Sequence, residues 1–434
     1  VKKAFVTDGG HRTVAPEQTI ARYSHHVSPI TGVVRSLRRT SDPSDQVTHE
    51  YVCDYQGNRP PAGSNDLESF LRRRSGGKGK TDSQAHASAL CEALEAYSGC
   101  YQGDEPTIRA CYTEVAPRAL FPPDSLLFSE AQYRNRVVSN ASATPLEWVP
   151  QPFEEERAID WTPLWSLTER REKYAATALC YYGYPQPDDY QFCQADSNGC
   201  AAGNTKEEAI LQGLMELVER DSVALWWYNM VPRPAVDLAS FAEPYLDALR
   251  ERYRRDGRDL WVLDITSDLE IPAFVAVSRR VVAAPEHVMF GFGAHLDPSI
   301  ALLRAVTELN QLVSQIPPDF NAWIARTPTQ RAMERWCTTA TIAENPYLAP
   351  DTSQPPRARQ DYLERQSEDL RDDILLAVEI LRRRGVETLV LDQTRPDVEL
   401  SVVRVFAPGL RHFWSRLAPG RLYDAPVGLG WVPT

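Results

Sequence analysis

The stretch Ala209-Ile210-Leu211-Gln212-Gly213-Leu214-Met215-Glu216-Leu217-Val218-Glu219-Arg220 decides how this chain is read. At about 100° per residue, Ala209, Gln212, Glu216 and Glu219 fall in one narrow stripe of a helix. Ile210, Leu211, Leu214, Leu217 and Val218 occupy the opposite side, so the helix is amphipathic with its carboxylates on a single face. The same phrase occurs twice more in the same register, as Ala85, Ser88, Glu92, Glu95 and as Ala301, Arg304, Glu308, Gln311. Each copy follows glycines: Gly76, Gly77 and Gly79 in the first, Gly199 and Gly203 in the second, Gly291 and Gly293 in the third. Read as glycine-rich loops opening onto helices, the three units predict internal repeats near 76–98, 197–222 and 291–314.

One Glu-bearing helix face is ordinary solvated surface, but a register shared by three copies asks for another reason. Converging carboxylates repel one another unless a cation neutralises them, and hard oxygen ligands select Mg²⁺ or Ca²⁺ rather than zinc. A di-iron site would want Glu-x-x-His, and no His accompanies these glutamates. Magnesium usually arrives with phosphates, and Lys78, Lys80, Arg220 and Arg304 stand close in sequence to the stripes. The combination predicts a nucleotide site of an unusual, carboxylate-rich kind. Gly79-Lys80-Thr81 resembles the end of a phosphate loop, but the glycine needed five positions before Gly79 is Arg74. No dinucleotide-binding fingerprint is present either.

Gly77-Lys78-Gly79 with Ser88 through Glu95, Asp196-Ser197-Asn198-Gly199 through Asp221, and Arg304 through Gln311 closely resemble the YcaO family. Asp8-Gly9-Gly10-His11-Arg12, Pro408-Gly409-Leu410, Gly420-Arg421-Leu422-Tyr423 and Pro426 resemble its azoline-forming peptide cyclodehydratases. The resemblance covers nearly the whole chain. It implies an α+β, YcaO-like fold with mixed sheets and flanking helices, in a single catalytic domain over 1–434. It also implies ATP- and Mg²⁺-dependent activation of a backbone amide in a ribosomal precursor peptide, turning Cys, Ser or Thr into thiazoline or oxazoline. Carried over residue by residue, Glu92, Glu95, Glu216 and Glu219 would hold Mg²⁺, and Lys78, Arg220 and Arg304 would contact phosphates. Ser88, Ser197, Asn198, Glu308 and Gln311 would help position the nucleotide or metals. The implied partners are a leader-bearing precursor and an E1-like or winged-helix recognition module, fused or separate, with a homodimer as a further expectation.

No general base is identifiable, and His295, just after the third glycine pair, is the histidine to inspect first. Ala96 follows Glu95 where the family usually has Arg, so one phosphate-side cation has to come from elsewhere. Azoline-forming relatives tend to end in a proline-rich tail, whereas only Pro426 and Pro433 follow Gly420-Arg421-Leu422. With Val1 at its start, the chain reads as a trimmed segment whose cyclisation would need the missing tail or a partner. The same activation with another nucleophile, giving a thioamide or amidine, and a non-catalytic ATP-binding accessory role are the alternatives.

At 434 residues and 43% hydrophobic content the chain can bury a substantial core. A net charge of −12 argues against a general nucleic-acid binder. No apolar run suits a membrane span, and no signal-peptide pattern opens the chain. The eight cysteines are scattered without a Cys-x-x-Cys pair, which predicts reduced thiols in the cytoplasm. A second repetition reads helix, strand, turn, strand over Tyr245 to Ser278 and again over Leu370 to Phe406, within a C-terminal unit near 361–410. In it Asp264-x-Thr266 and Asp392-x-Thr394 match in position and predict turns. Polar or proline-rich stretches near 41–66, 135–156 and 338–359 read as excursions from one domain.

Overall fold

The computed structural model describes residues 1–56, 73–141, 143, 147–316 and 328–433. Part of the linker-like stretches (57–66, 142 and 144–146) and Thr434 lie outside the described residues. A hairpin of β1 (Phe5–Thr7) and β2 (Gly10–Arg12) carries the N-terminal motif. One three-stranded sheet runs β3 (Val34–Arg39), β4 (His49–Tyr55), β5 (Arg73–Gly79). A six-stranded sheet contains β6 (Ile108–Ala110), β7 (Ile159–Ser166), β8 (Arg171–Ala176) and β9 (Cys200–Gly203) together with β13 (Leu389–Asp392) and β14 (Ser401–Phe406). A second three-stranded sheet runs β10 (Arg258–Asp264), β11 (Ala273–Arg280), β12 (Met289–Ala294). The α+β class holds, and the strands of each sheet pair antiparallel.

The three carboxylate phrases form helices where their pattern places them: α1 (Asp82–Ser98), α2 (Lys206–Asn229) and, after α3 (Pro244–Arg255), α4 (Pro298–Ser314). Each starts at a side-chain cap, with Thr81, Thr205 and Asp297 accepting from the backbone N–H groups of Gln84, Glu208 and Ser299. Gly199 sits in a turn, with φ at 77°, but the other preceding glycines do not form loops. Gly76, Gly77, Gly79, Gly203, Gly291 and Gly293 lie within β5, β9 and β12, each an edge strand of its sheet. Their reason is close approach. A Cβ on Gly77 would stand 2.2 Å from the Ala85 oxygen and the Ala89 nitrogen, and one on Gly293 would stand 2.2 Å from the Ala301 oxygen. Ala85, Ala209 and Ala301, the first residues of the three phrases, are fully buried. The phrase therefore encodes a strand laid tightly against a helix, with the polar stripe turned away from that contact.

The second repetition also forms as read, with α3, β10 and β11 answered by α5 (Leu370–Arg383), β13 and β14. Thr266 N–H donates to Asp264 Oδ1 at 2.9 Å and Thr394 N–H to Asp392 Oδ1 at 3.0 Å, so both aspartates serve turns. β14 then pairs with β9, Ser401 opposite Gly203 and Arg404 opposite Cys200, so the strand leading into α2 joins a strand pair from the far end of the chain. The 41–66 stretch is partly strand rather than linker, because β4 sits in it between β3 and β5. Residues 130–140 form a helix that enters the second such stretch. The largest core cluster packs Leu211, Leu214, Met215, Val218 and Trp226 of α2 against β11, α5 and β14.

Substituting Gly293→Ala should therefore destabilise the fold by about 1–3 kcal/mol, since a backbone carbonyl and not a flexible side chain must give way. Gly428, in α6 (Arg421–Gly428), has open space around its position, so Gly428→Ala should leave the thermal midpoint near that of the parent. Equal midpoints for the two variants would show that the strand–helix approach is slack.

Candidate active site

The polar stripes of α1, α2 and α4 face a common cavity of about 1760 Å³. Lys78, Ser88, Glu92, Glu95, Ser197, Asn198, Glu216, Glu219, Arg220, Arg304, Glu308 and Gln311 all line it. Residues more than 200 positions apart are thus brought to one wall. Lys78 on β5 is ion-paired with Glu308 on α4, whose other oxygen accepts from Phe292 N–H at 3.2 Å. Arg220 reaches Glu216 at 3.5 Å and Glu219 at 3.3 Å, and Arg304 approaches Glu219 at 3.9 Å.

Negative charge exceeds what these cations neutralise. Burial pushes Glu92 up to about 7, with Glu308 adding repulsion and Lys78 and the Gly76 N–H opposing it. Burial likewise raises Glu216 to about 7 despite Arg220, and Glu219 adds to the shift. Glu95 is raised further, by burial and by Glu216 and Glu92. Glu308 is instead held below its ordinary value, because Lys78 and Arg220 outweigh the effect of burial. Such a site favours a divalent cation. Among the described residues no three His, Cys, Asp or Glu groups converge into a ready-made metal cage. Mg²⁺ keeps several waters and is usually held by one or two carboxylates together with substrate phosphates. The Nε groups of Arg220 and Arg304 are buried without a protein partner, as donors meant for an added anion would be.

Other residues depart from the expectations or were not read from sequence. Arg220 faces the cavity over the Phe413 ring at 4.6 Å, while its neighbour Asp221 binds Arg421 at 2.7 Å. Lys80 turns to Glu243 at 3.1 Å. His295 is buried off the cavity wall, its Nδ1 accepting from Asp297 N–H at 3.0 Å in the cap of α4, and burial holds it neutral. Ala96 does line the cavity, and so do Arg12 and Arg73. Arg12 stands in the Asp8-to-Arg12 motif, so that motif was the available signal; its guanidinium donates to the Gly9 oxygen at 2.8 Å and the Gln212 side chain at 3.5 Å. Asp196, Arg404, His412 and Arg416 also line the wall, and of these only Asp196 belongs to the Asp196-to-Asp221 motif.

The sequence model described as YcaO cyclodehydratase, ATP- and Mg²⁺-binding, matches residues 76–411. A heterocyclase solved in complex with substrate and cofactor superposes with a TM-score of 0.93 at 52% identity, over 97% of this chain and 55% of that one. The heterocyclase TruD superposes with a TM-score of 0.78 at 47% identity, over 100% of this chain and 53% of its own. The YcaO protein of Methanopyrus kandleri, solved with AMPPCP and Mg²⁺, shares the fold with a TM-score of 0.66 at 21% identity, over 94% of each chain. This chain spans about half the length of the two heterocyclases.

The raised carboxylates give a pH test. Between 4.5 and about 7 the folded chain keeps protons on Glu92 and Glu216 that the unfolded chain has released. Their contribution to stability is complete below the unfolded value and is lost as pH rises through the folded one, unless a cation replaces the protons. Added Mg²⁺ should then raise the melting temperature more at about pH 8 than at about pH 5.5. Glu216→Gln should narrow that difference, and an equal Mg²⁺ response at both pH values would mean the ion does not meet these carboxylates.

Proposed function

The chain belongs to the YcaO family, and from that premise we propose that it is an ATP- and Mg²⁺-dependent peptide cyclodehydratase. The observation that supports this most directly is one cavity uniting uncompensated carboxylates with Lys78, Arg220 and Arg304. A peptide amide is a poor electrophile and its oxygen a poor leaving group. In the proposed reaction the Cys thiol or Ser/Thr hydroxyl of the precursor attacks the preceding carbonyl carbon and gives up its proton to solvent. The carbonyl oxygen takes the γ-phosphoryl group of ATP and leaves as phosphate. The former amide nitrogen loses its proton and forms the ring C=N bond, so the peptide loses the elements of one water while ATP becomes ADP and phosphate.

The chain's task is positioning and electrostatics. Lys78, Arg220 and Arg304 would hold the phosphates, and Ser88, Ser197, Asn198, Glu308 and Gln311 would orient the nucleotide. Glu92, Glu95, Glu216 and Glu219 would hold Mg²⁺, which when bound supplies charge neutralisation for the phosphoryl group. The partner in this reading is a ribosomal precursor peptide, delivered through its leader by an E1-like or winged-helix module. Among the described residues no helix is long and apolar enough to cross a membrane, and we place the activity in the cytoplasm.

Incubated with Mg²⁺-ATP, a Cys- or Ser/Thr-containing precursor and such a module, the chain should remove one water per ring formed, read by mass spectrometry. Omitting the module should slow processing strongly. Glu219→Gln should lower turnover by roughly 10²-fold or more while keeping the parental melting temperature. Parental turnover in this variant would sink the metal assignment, and a mass change of sulfur for oxygen would move the activity to thioamide formation.

A further inference from the structure

The segment after Leu410 links the phosphate side of the cavity to an aromatic part of its wall. Phe413 lies under Arg220, His412 lies 5.7 Å from the Trp414 ring, and Arg416 stacks at 3.9 Å on Phe128. All of these residues line the cavity. His412 is fixed on one edge only. The Asn198 amide nitrogen stands 2.9 Å from Asp196 Oδ1 and 3.0 Å from His412 Nδ1. Turned the other way, the amide would set its oxygen against the Asp196 carboxylate, so the carboxylate decides which end is nitrogen. That nitrogen can only donate, and Nδ1 must accept. The Asp196 Oδ2 contact to Nδ1 is 3.6 Å, too long to compete for a proton there. The imidazole proton is therefore on Nε2, which makes no hydrogen bond to protein among the described residues.

We infer that His412 is the donor that holds the carbonyl oxygen of the peptide bond under activation, through Nε2–H, with Asn198 and Asp196 as its positioning residues. This rests on the cyclodehydratase reading and names a group within it. As the nucleophile adds, the carbonyl oxygen gains negative charge, and it must stay unprotonated to accept the phosphoryl group. A protonated histidine would quench it. A neutral imidazole N–H stabilises the charge and keeps its proton. The surroundings favour the neutral form: burial, with Arg416, Arg404 and Arg220 nearby and Asp196 opposing, pushes His412 down to about 4. The phosphates have Lys78, Arg220 and Arg304 at hand, which leaves this uncharged donor, beside the aromatic wall, for an uncharged acceptor.

The test compares His412→Phe, His412→Gln and His412→Asn with the parent, each assayed with module, precursor and Mg²⁺-ATP and each checked by thermal melting. Loss of the donor in the Phe variant should lower kcat for dehydration by roughly 10²- to 10³-fold with the KM for ATP within about twofold. Glutamine can place an N–H near the Nε2 position and asparagine only near Nδ1, so the Gln variant should exceed the Asn variant by about tenfold or more. This comparison decides the matter if the Phe variant does not fold. Parental kcat in the Phe variant, equal rates for Gln and Asn, or a loss confined to the KM for ATP would each overturn the assignment. A parent that dehydrates no precursor would instead overturn the cyclodehydratase reading, and this inference with it.

Discussion

Carboxylates gathered from separate helices onto one cavity wall are the constraint on which the rest of this structure depends. Desolvation drives Glu92, Glu95 and Glu216 toward the protonated form, and neighbouring carboxylates add to it: Glu308 for Glu92, Glu216 and Glu92 for Glu95, and Glu219 for Glu216. A fold can keep such groups together only by holding their helices rigidly and by supplying countercharge in part. The glycine strands supply the rigidity, because the close approach of β5 to α1 and of β12 to α4 leaves those helices little room to shift. Lys78, Arg220 and Arg304 supply the partial countercharge. The remaining deficit is what a phosphate-bound divalent cation would offset.

The chain path explains how one cavity comes to draw on so much of the sequence. Two of the carboxylate helices follow three-stranded sheets that are continuous in sequence, β3 to β5 and β10 to β12. The third follows β9, whose sheet is completed by β13 and β14 from the other end of the chain. Asp221, one residue beyond Arg220, is fully buried and holds Arg421 through paired hydrogen bonds at 2.8 and 2.7 Å. Arg421 also reaches Asp268 at 3.0 Å. The last helix is thereby anchored to α2 one residue from the cavity-facing guanidinium of Arg220, and His412 and Phe413 lie in the segment that leads to that helix.

The helical stripes were legible because a helix has a period that sequence records directly: 3.6 residues per turn sets Glu92 over Glu95 and Glu216 over Glu219 whatever the surroundings. The paired helix–strand–turn–strand units were legible for the same reason, since Leu260 to Asp264 and Thr388 to Asp392 alternate with clear helical and turn signals. The glycines are plain in the sequence, yet only Gly199 forms the turn that such residues suggest, while those in β5, β9 and β12 serve close approach. Glycine permits both a turn and a close approach, and only the partner helix shows which one applies. The strand at His49–Tyr55 was hidden inside a polar stretch whose composition resembles a linker.

What the sequence by itself determined is therefore local: which faces are charged, where helices start, and which chemical types recur in register. What only the tertiary structure decided is pairing across distance. Arg220 facing the cavity and not Asp221, Lys80 turned to Glu243, His295 spent on a helix cap, and His412 set against Asn198 and Asp196 all depend on packing between segments far apart in the chain. The physical reason is that backbone periodicity acts over a few residues, whereas burial, which sets each group's charge and its choice of partner, is a property of the whole packed chain.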